Sequence, residues 1–249
     1  MFGKQIRLRQ FTDEKQRCFI LAIDQVIPQG LHPAISQPVR VLEQLANANF
    51  DAFLLHAGIV KLAGHVLAGG KPFILKLTTA TTQSKDKTHR FVVDRVEHAV
   101  GLGAVGVAMN LFVGSPYEAL LFEQFSEAVQ VCEQFGMPML AMAHPMPEQQ
   151  YNAALQAYAC RVAAELGADI VKTDYPGSSD GFQLITDNCP VPVLVEESPY
   201  SEDSSGTLQT TSEAMRAGGS GVLYGRRVWA HTDPLKIASE ISKIVHTPG

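Results

Sequence analysis

Lys172 lies inside ADIVKTDYPGSSD, residues 168–180, where the flanking side chains otherwise read as a buried strand. An unpaired ammonium in an apolar strand costs several kcal/mol or gives up its proton. A neutral amine attacks carbonyl carbon and forms an iminium, which accepts the electron pair of an adjacent carbon-carbon bond. Other polar groups fall at or near the ends of apolar runs: Asp24, Lys76, Asn110, His144 and the pair Gly225-Arg226. Burial beside a second cation such as Lys76 can bring an amine from about 10.4 to near 7, a shift of roughly 4 to 5 kcal/mol. Proton transfer then falls to Asp24 and to His144, whose imidazole ordinarily titrates near neutral pH. Plainer readings stand beside these: Lys172 paired with Asp174 or with a helix residue, Asp24 capping the loop QVIPQG, and His144 as a turn residue before Pro145.

The elements that must position these groups follow from periodicity. Short apolar runs at 18–24, 52–58, 72–78, 104–111, 138–144, 169–175, 191–197 and 221–225 read as eight strands. Segments with apolar residues at helical spacing separate them, and Gly103, Gly136, Gly167 and Gly219 sit where helix C-terminal caps belong. Near-continuous apolar strands alternating with helices predict a closed (β/α)8 TIM barrel, with residues 1–249 as one domain. An open doubly wound sheet is the competitor, but QVIPQG follows the first strand where that fold's dinucleotide fingerprint would place GxGxxG. In a barrel, chemistry sits at the C-terminal strand ends. Alternation puts Lys172 in phase with Ile170 and Asp174, and Asp24 in phase with Ala22, so that both point inward.

A net charge of −5 argues against general binding to nucleic acid or an anionic membrane. The N-terminal MFGKQIRLRQFTDEK lacks the apolar run of a signal peptide or anchor, so a cytoplasmic protein is expected. Cys18, Cys132, Cys160 and Cys189 form no CxxC pair and read as buried structural thiols. His32, His56, His65, His89, His98, His231 and His246 show no metal-ligand spacing and read as structural or surface residues. Neither a metal nor a cofactor is expected.

These motifs resemble the family of Schiff-base, class I aldolases that includes archaeal-type fructose-bisphosphate aldolase, deoxyribose-phosphate aldolase, the aminodideoxyheptulosonate synthases and an autoinducer-degrading thiolase. The resemblance runs almost end to end. DIVKTDYPG resembles the Schiff-base strand, which implies an imine at Lys172 with Tyr175 as its neighbour. LAIDQ resembles the first strand and implies proton transfer by Asp24; ILKLTT resembles the third strand at Lys76. VAMNLFVGSPYE resembles the fourth strand and its loop, at Asn110, Gly114, Ser115 and Glu118. GVLYGRRVW resembles the last strand, which implies phosphate contacts at Gly225 and Arg226. Two departures stand out. His144 replaces the tyrosine common at the end of the fifth strand, and Glu196 and Glu197 replace a phosphate-facing glycine pair at the end of the seventh. Two carboxylates there would repel a phosphate dianion, each by roughly 3 kcal/mol at about 5 Å and an effective dielectric near 20.

The expected activity is therefore that of a lysine-dependent aldolase, or a related carbon-carbon lyase or transferase, on a small sugar-derived carbonyl compound, phosphorylated or not. The alternatives are a sugar-phosphate isomerase or epimerase using Asp24 and His144, and a catalytically inactive barrel with a binding role. A homo-oligomer of unread subunit number is the expected assembly.

Overall fold

The computed structural model describes residues 2–196 and 204–247. Ten strands occur in chain order: β1 (Cys18–Ala22), β2 (Ala52–Leu55), β3 (Phe73–Lys76), β4 (Thr78–Thr79), β5 (Phe91–Val92), β6 (Gly106–Phe112), β7 (Met139–His144), β8 (Ile170–Asp174), β9 (Val193–Glu196) and β10 (Gly221–Tyr224). All but β4 and β5 form one closed barrel, in the order β1-β10-β9-β8-β7-β6-β3-β2, with every pairing parallel. The eight predicted strands are the eight staves of this TIM barrel. Each stave is buried on both faces, which is why the sequence showed continuous apolar runs there.

Alternation divides those apolar side chains between two cores. Phe19, Leu21, Phe53 and Leu55 point outward and pack with the surrounding helices, while Ile20, Ala22, Leu54, Ile74, Ile170 and Leu194 fill the barrel. The helix Phe2–Leu8, absent from the sequence reading, lies at the end opposite the C-terminal strand ends. Leu8 and Phe11 extend the inner core there, and Arg7 Nη1 donates to the carbonyls of Phe135 (3.0 Å) and Gly136 (2.8 Å) at the end of the helix Glu118–Phe135.

Three local departures have simple causes. The caps at Gly103, Gly136 and Gly167 have positive φ, but near Gly219 the left-handed residue is Gly218, at φ 85°. The predicted helix IVKLAGHVLAG is two short helices, Ala57–Leu62 and Gly64–Leu67, broken beside a glycine that favours helix poorly. The segment TTATTQSKDKTHR, which carried no readable pattern, is largely the connection of a β-hairpin: β4 pairs antiparallel with β5, Thr78 opposite Val92 and Thr79 opposite Phe91. Two-residue strands are too short for periodicity to mark. Among the described residues no helix is long and apolar enough to cross a membrane.

Candidate active site

At the C-terminal mouth of the barrel the inner layer changes from apolar to ionisable within one step on β1, β3, β7, β8 and β9. Ala22 is the last inward apolar residue of β1 and Asp24 follows it in phase; on β8, Ile170 is followed by Lys172 and Asp174. The residues so exposed surround a cavity of about 440 Å³, lined by Asp24, Lys76, Asn110, His144, Lys172 and Glu196, all expected from the sequence. Asp174, Thr78, Lys87 and Arg90 line it as well. Parallel register brings β7, β8 and β9 into step, with Met142 opposite Lys172 and Asp174 opposite Glu196.

Lys172 is 1% exposed, and its Nζ contacts the Glu196 carboxylate. Asp174, the sequence-adjacent partner, is instead committed to His144: its Oδ2 lies 2.9 Å from Nδ1. Burial is the largest influence on the Lys172 amine and lowers its pKa; Arg90 adds repulsion, Asp174 and Asp24 oppose both, and the result is about 8. The Lys76 amine, also buried, contacts the thioether sulfur of Met142. Burial lowers it most, Lys172 and Arg90 repel its charge, Asp24 supports it, and it comes to about 7. Both amines are thus held well below the ordinary lysine range.

Burial raises the energy of the Asp174 carboxylate, yet His144, Lys172 and Gln150 hold its pKa at about 2. An ionised carboxylate only accepts hydrogen bonds, so His144 presents Nδ1–H to Asp174 and keeps the Nε2 lone pair free. Burial, with Lys172 and Arg90 nearby, lowers the His144 pKa against the pull of Asp174, which keeps the ring neutral. Nε2 faces Glu196 Oε2 across 4.0 Å. Lys172 with Glu196 and His144 with Asp174 thus form two pairs side by side on three adjacent strands, with the Nε2 lone pair of His144 facing the gap between them. The same geometry puts one ligand atom each of His144, Asp174 and Glu196 within 4.8 Å of one another. Spacing along the sequence could not reveal this cluster, because its members come from β7, β8 and β9. In this arrangement Nδ1 and Asp174 satisfy each other and Glu196 faces an amine, so the donors are already engaged.

The remaining expected residues lie around the cavity rather than in its wall. Tyr175 points outward from the end of β8 and donates to Glu213 on the helix Ser204–Arg216. Ser115 Oγ is 2.7 Å from Thr88 Oγ1 and accepts from the Tyr117 N–H at 3.1 Å. Glu118 accepts from the N–H of Gly114, which closes that loop at φ 83°. Gly225 opens the short helix Arg226–Trp229, and a Cβ there would collide with the side-chain amide of Gln25; Arg226 donates to Gln29, which lines the cavity. Glu196 turns into the cavity, as the charge argument required, whereas Glu197 lies outside the described residues. His56, read as structural, stands at the end of β2 beside Lys76, with its pKa lowered chiefly by burial. Arg90 and Lys87 were missed because a structureless-looking loop gives no clue to where its side chains return; their clustering as KDKTHR was the available signal.

The family described as DeoC/LacD family aldolase matches residues 18–231, a span that contains all eight staves. A 2-amino-4,5-dihydroxy-6-oxo-7-(phosphonooxy)heptanoate synthase of Streptomyces griseus is 30% identical over 252 residues, covering 100% of this chain and 92% of that protein. A 2-amino-3,7-dideoxy-D-threo-hept-6-ulosonate synthase of Halobacterium salinarum is 31% identical, covering 98% of this chain and 92% of its own length. Among solved structures, an archaeal fructose-1,6-bisphosphate aldolase, with its catalytic lysine covalently bound to the carbinolamine intermediate of the substrate, superposes with a TM-score of 0.91 at 28% identity, covering 98% of this chain and 100% of that one. Likeness of this extent, in sequence and in backbone, makes the chain a member of the DeoC/LacD aldolase family and an enzyme of the Schiff-base, class I aldolase type.

Proposed function

We propose that Lys172 is the imine-forming residue and that the enzyme makes or breaks a carbon-carbon bond in a small, phosphorylated, sugar-derived carbonyl compound. The observation that carries this reading is a fully buried amine in the cavity wall, with a pKa near 8 and a carboxylate in contact with it. Glu196 takes the proton of the ammonium, and the neutral Nζ attacks the carbonyl carbon while the π pair moves to oxygen. The carbinolamine oxygen is protonated and leaves as water, which gives the iminium. In the cleavage direction, His144 Nε2 removes the proton of the hydroxyl carried by the far carbon of the bond to be broken. The electron pair of that bond flows into the iminium, so an aldehyde departs and an enamine remains. The imidazolium so formed at His144 supplies the proton that Asp24, across the mouth, passes to the enamine carbon, and water releases the second product. The synthetic direction reverses these steps.

Asp174 orients His144 by accepting from Nδ1–H, and Asn110 is held by Thr78, whose hydroxyl accepts from the Asn110 backbone N–H at 2.8 Å and faces its side-chain oxygen at 3.2 Å. Similarity to the Streptomyces and archaeal proteins, whose names include phosphorylated compounds, supports the substrate class. Borohydride in the presence of a panel of ketoses and keto acids should add the mass of the reduced adduct at Lys172. Labelling at Lys76 or Lys61 instead would overturn the assignment.

Three further statements belong to the same reading. The whole chain is one barrel domain, supported by the N-terminal helix under the barrel and by the packing of the helix Pro234–His246 on β1. The enzyme is cytoplasmic, supported by four buried, free thiols. It is a homo-oligomer, supported by apolar side chains left exposed at Phe2, Ile6, Phe91 and Val93; sizing by light scattering tests this.

A further inference from the structure

The charges lining the cavity are unevenly placed. Four cations (Lys76, Lys87, Arg90 and Lys172) face three carboxylates (Asp24, Asp174 and Glu196), which stand at the ends of β1, β8 and β9. Glu196 contacts Lys172, Asp174 holds His144, and Asp24 acts on Lys76. Among the described residues neither Lys87 nor Arg90, both on the hairpin, has an ion pair with a carboxylate; Asp24 supports the Arg90 charge from a longer distance. The Arg90 guanidinium stacks on Phe112, 5.2 Å from the ring centroid, and its Nε is buried without a hydrogen-bond partner. A buried donor left unpaired is costly unless a ligand completes it.

The hairpin is held firmly enough to present these groups. β4 and β5 pair with each other, and the Val93 N–H donates to the Leu77 carbonyl at 2.8 Å. Between Lys87 and Arg90, Thr88 is tied to Asp86 by its N–H (2.8 Å) and hydroxyl (2.7 Å) and lies against Ser115. His89 stacks on Tyr117, with centroids 4.0 Å apart and planes 9° apart. The serine that the sequence placed against substrate thus anchors the loop that carries the cations.

We infer that Arg90 with Lys87 forms an oxyanion subsite, which holds a phosphate or carboxylate group of the substrate on the hairpin side of the mouth. A fork of N–H groups fixed on an aromatic face suits bidentate binding of such a group. The identity of the occupant as substrate rests on the aldolase reading; the subsite itself does not. On the opposite side, the Glu196 carboxylate disfavours an anion, and Arg226 is engaged by Gln29.

Inorganic phosphate and acetate, titrated separately into the intact protein by calorimetry, test the subsite without any turnover. Phosphate affinity should fall at least tenfold in Arg90→Met and about threefold or more in Lys87→Met, recover partly in Arg90→Lys, and stay within twofold in Arg226→Met. Lys87 is exposed, so its variant keeps the test valid if Arg90→Met fails to fold. Tighter binding of phosphate assigns the subsite to a phosphate monoester, and tighter binding of acetate assigns it to a carboxylate. Failure of borohydride trapping with phosphate binding intact would remove the aldolase reading and leave the subsite standing. Loss of phosphate binding in Arg226→Met, or its retention in both hairpin variants, would overturn the subsite.

Discussion

Two buried lysines at opposite ends of the barrel behave in opposite ways. Lys4, under the barrel, is 8% exposed and Lys172, in the mouth, is 1% exposed. Burial works against the charge of both. Around Lys4 it is outweighed by Glu133, which it contacts, and Asp169, 3.0 Å away, and the pKa rises above 10.5. Around Lys172 the carboxylates are shared with other cations, Arg90 and Lys76 among them, and the pKa falls to about 8. Burial alone therefore does not make a lysine a nucleophile; the balance of charges around it does.

The largest test of this contrast is chemical. Lys172→Met should abolish the reducible adduct and lower turnover by about 10⁴-fold or more, as intact mass and steady-state assays would record, whereas Lys4→Met should leave the adduct mass unchanged. In the native enzyme the initial rate of trapping should rise with pH through about 8, because only the neutral amine attacks. A rate that keeps climbing toward 10.5 would place Lys172 in the same class as Lys4.

Removing proton transfer while keeping the amine should have the next largest effect. His144→Asn should lower kcat by about 10²- to 10⁴-fold while borohydride still labels Lys172. Glu196→Gln should slow imine formation itself, so rapid-quench trapping separates the two groups. Equal effects of both variants on trapping would show that His144 acts on the amine rather than on the substrate hydroxyl.

The third consequence is thermodynamic, and its two halves have opposite signs. A lysine whose folded pKa is lowered destabilises the fold while it must be charged in the unfolded chain, so Lys76→Met should raise stability at pH 7 by about 1 to 3 kcal/mol. This native cost shrinks as pH rises from 7 toward 10.5. A raised pKa contributes stability that is fully present below the unfolded value and is lost only as pH climbs through the folded value, so Lys4→Met should lower stability at pH 7. Urea titrations at pH 7 and pH 9 would measure both; a fall in stability on removing Lys76 would break the comparison.

The smallest expected effect is that of chelators. Since the donors of the His144-Asp174-Glu196 cluster already satisfy one another and Lys172, EDTA should leave activity within about twofold. Loss with EDTA and recovery with a divalent ion would show that the cluster holds a metal and that Lys172 is not its partner.

All eight staves were legible because a parallel barrel buries both faces of each strand, and eight apolar runs leave few other folds. The inward phase of Lys172 and Asp24 was legible for a related reason: period-two alternation is local to a strand, and both residues follow an inward apolar neighbour. The partners were not legible. Asp174, two residues from Lys172, was the natural candidate for its salt bridge, yet Glu196 on the next strand took that place. The roles of Ser115, Tyr175 and Arg226 were also beyond local reading, since each is engaged by a residue distant in the chain: Thr88, Glu213 and Gln29.

What the sequence by itself determined was the fold and the presence of an amine inside it, because both depend on the pattern of apolar and polar residues along single strands. Only the tertiary structure decided which carboxylate meets Lys172, that Lys76 shares its lowered pKa, and that a hairpin brings Lys87 and Arg90 to the mouth. Those outcomes depend on register between neighbouring strands and on the desolvation of charges within a few ångströms of one another. Both are set across the barrel rather than along the chain.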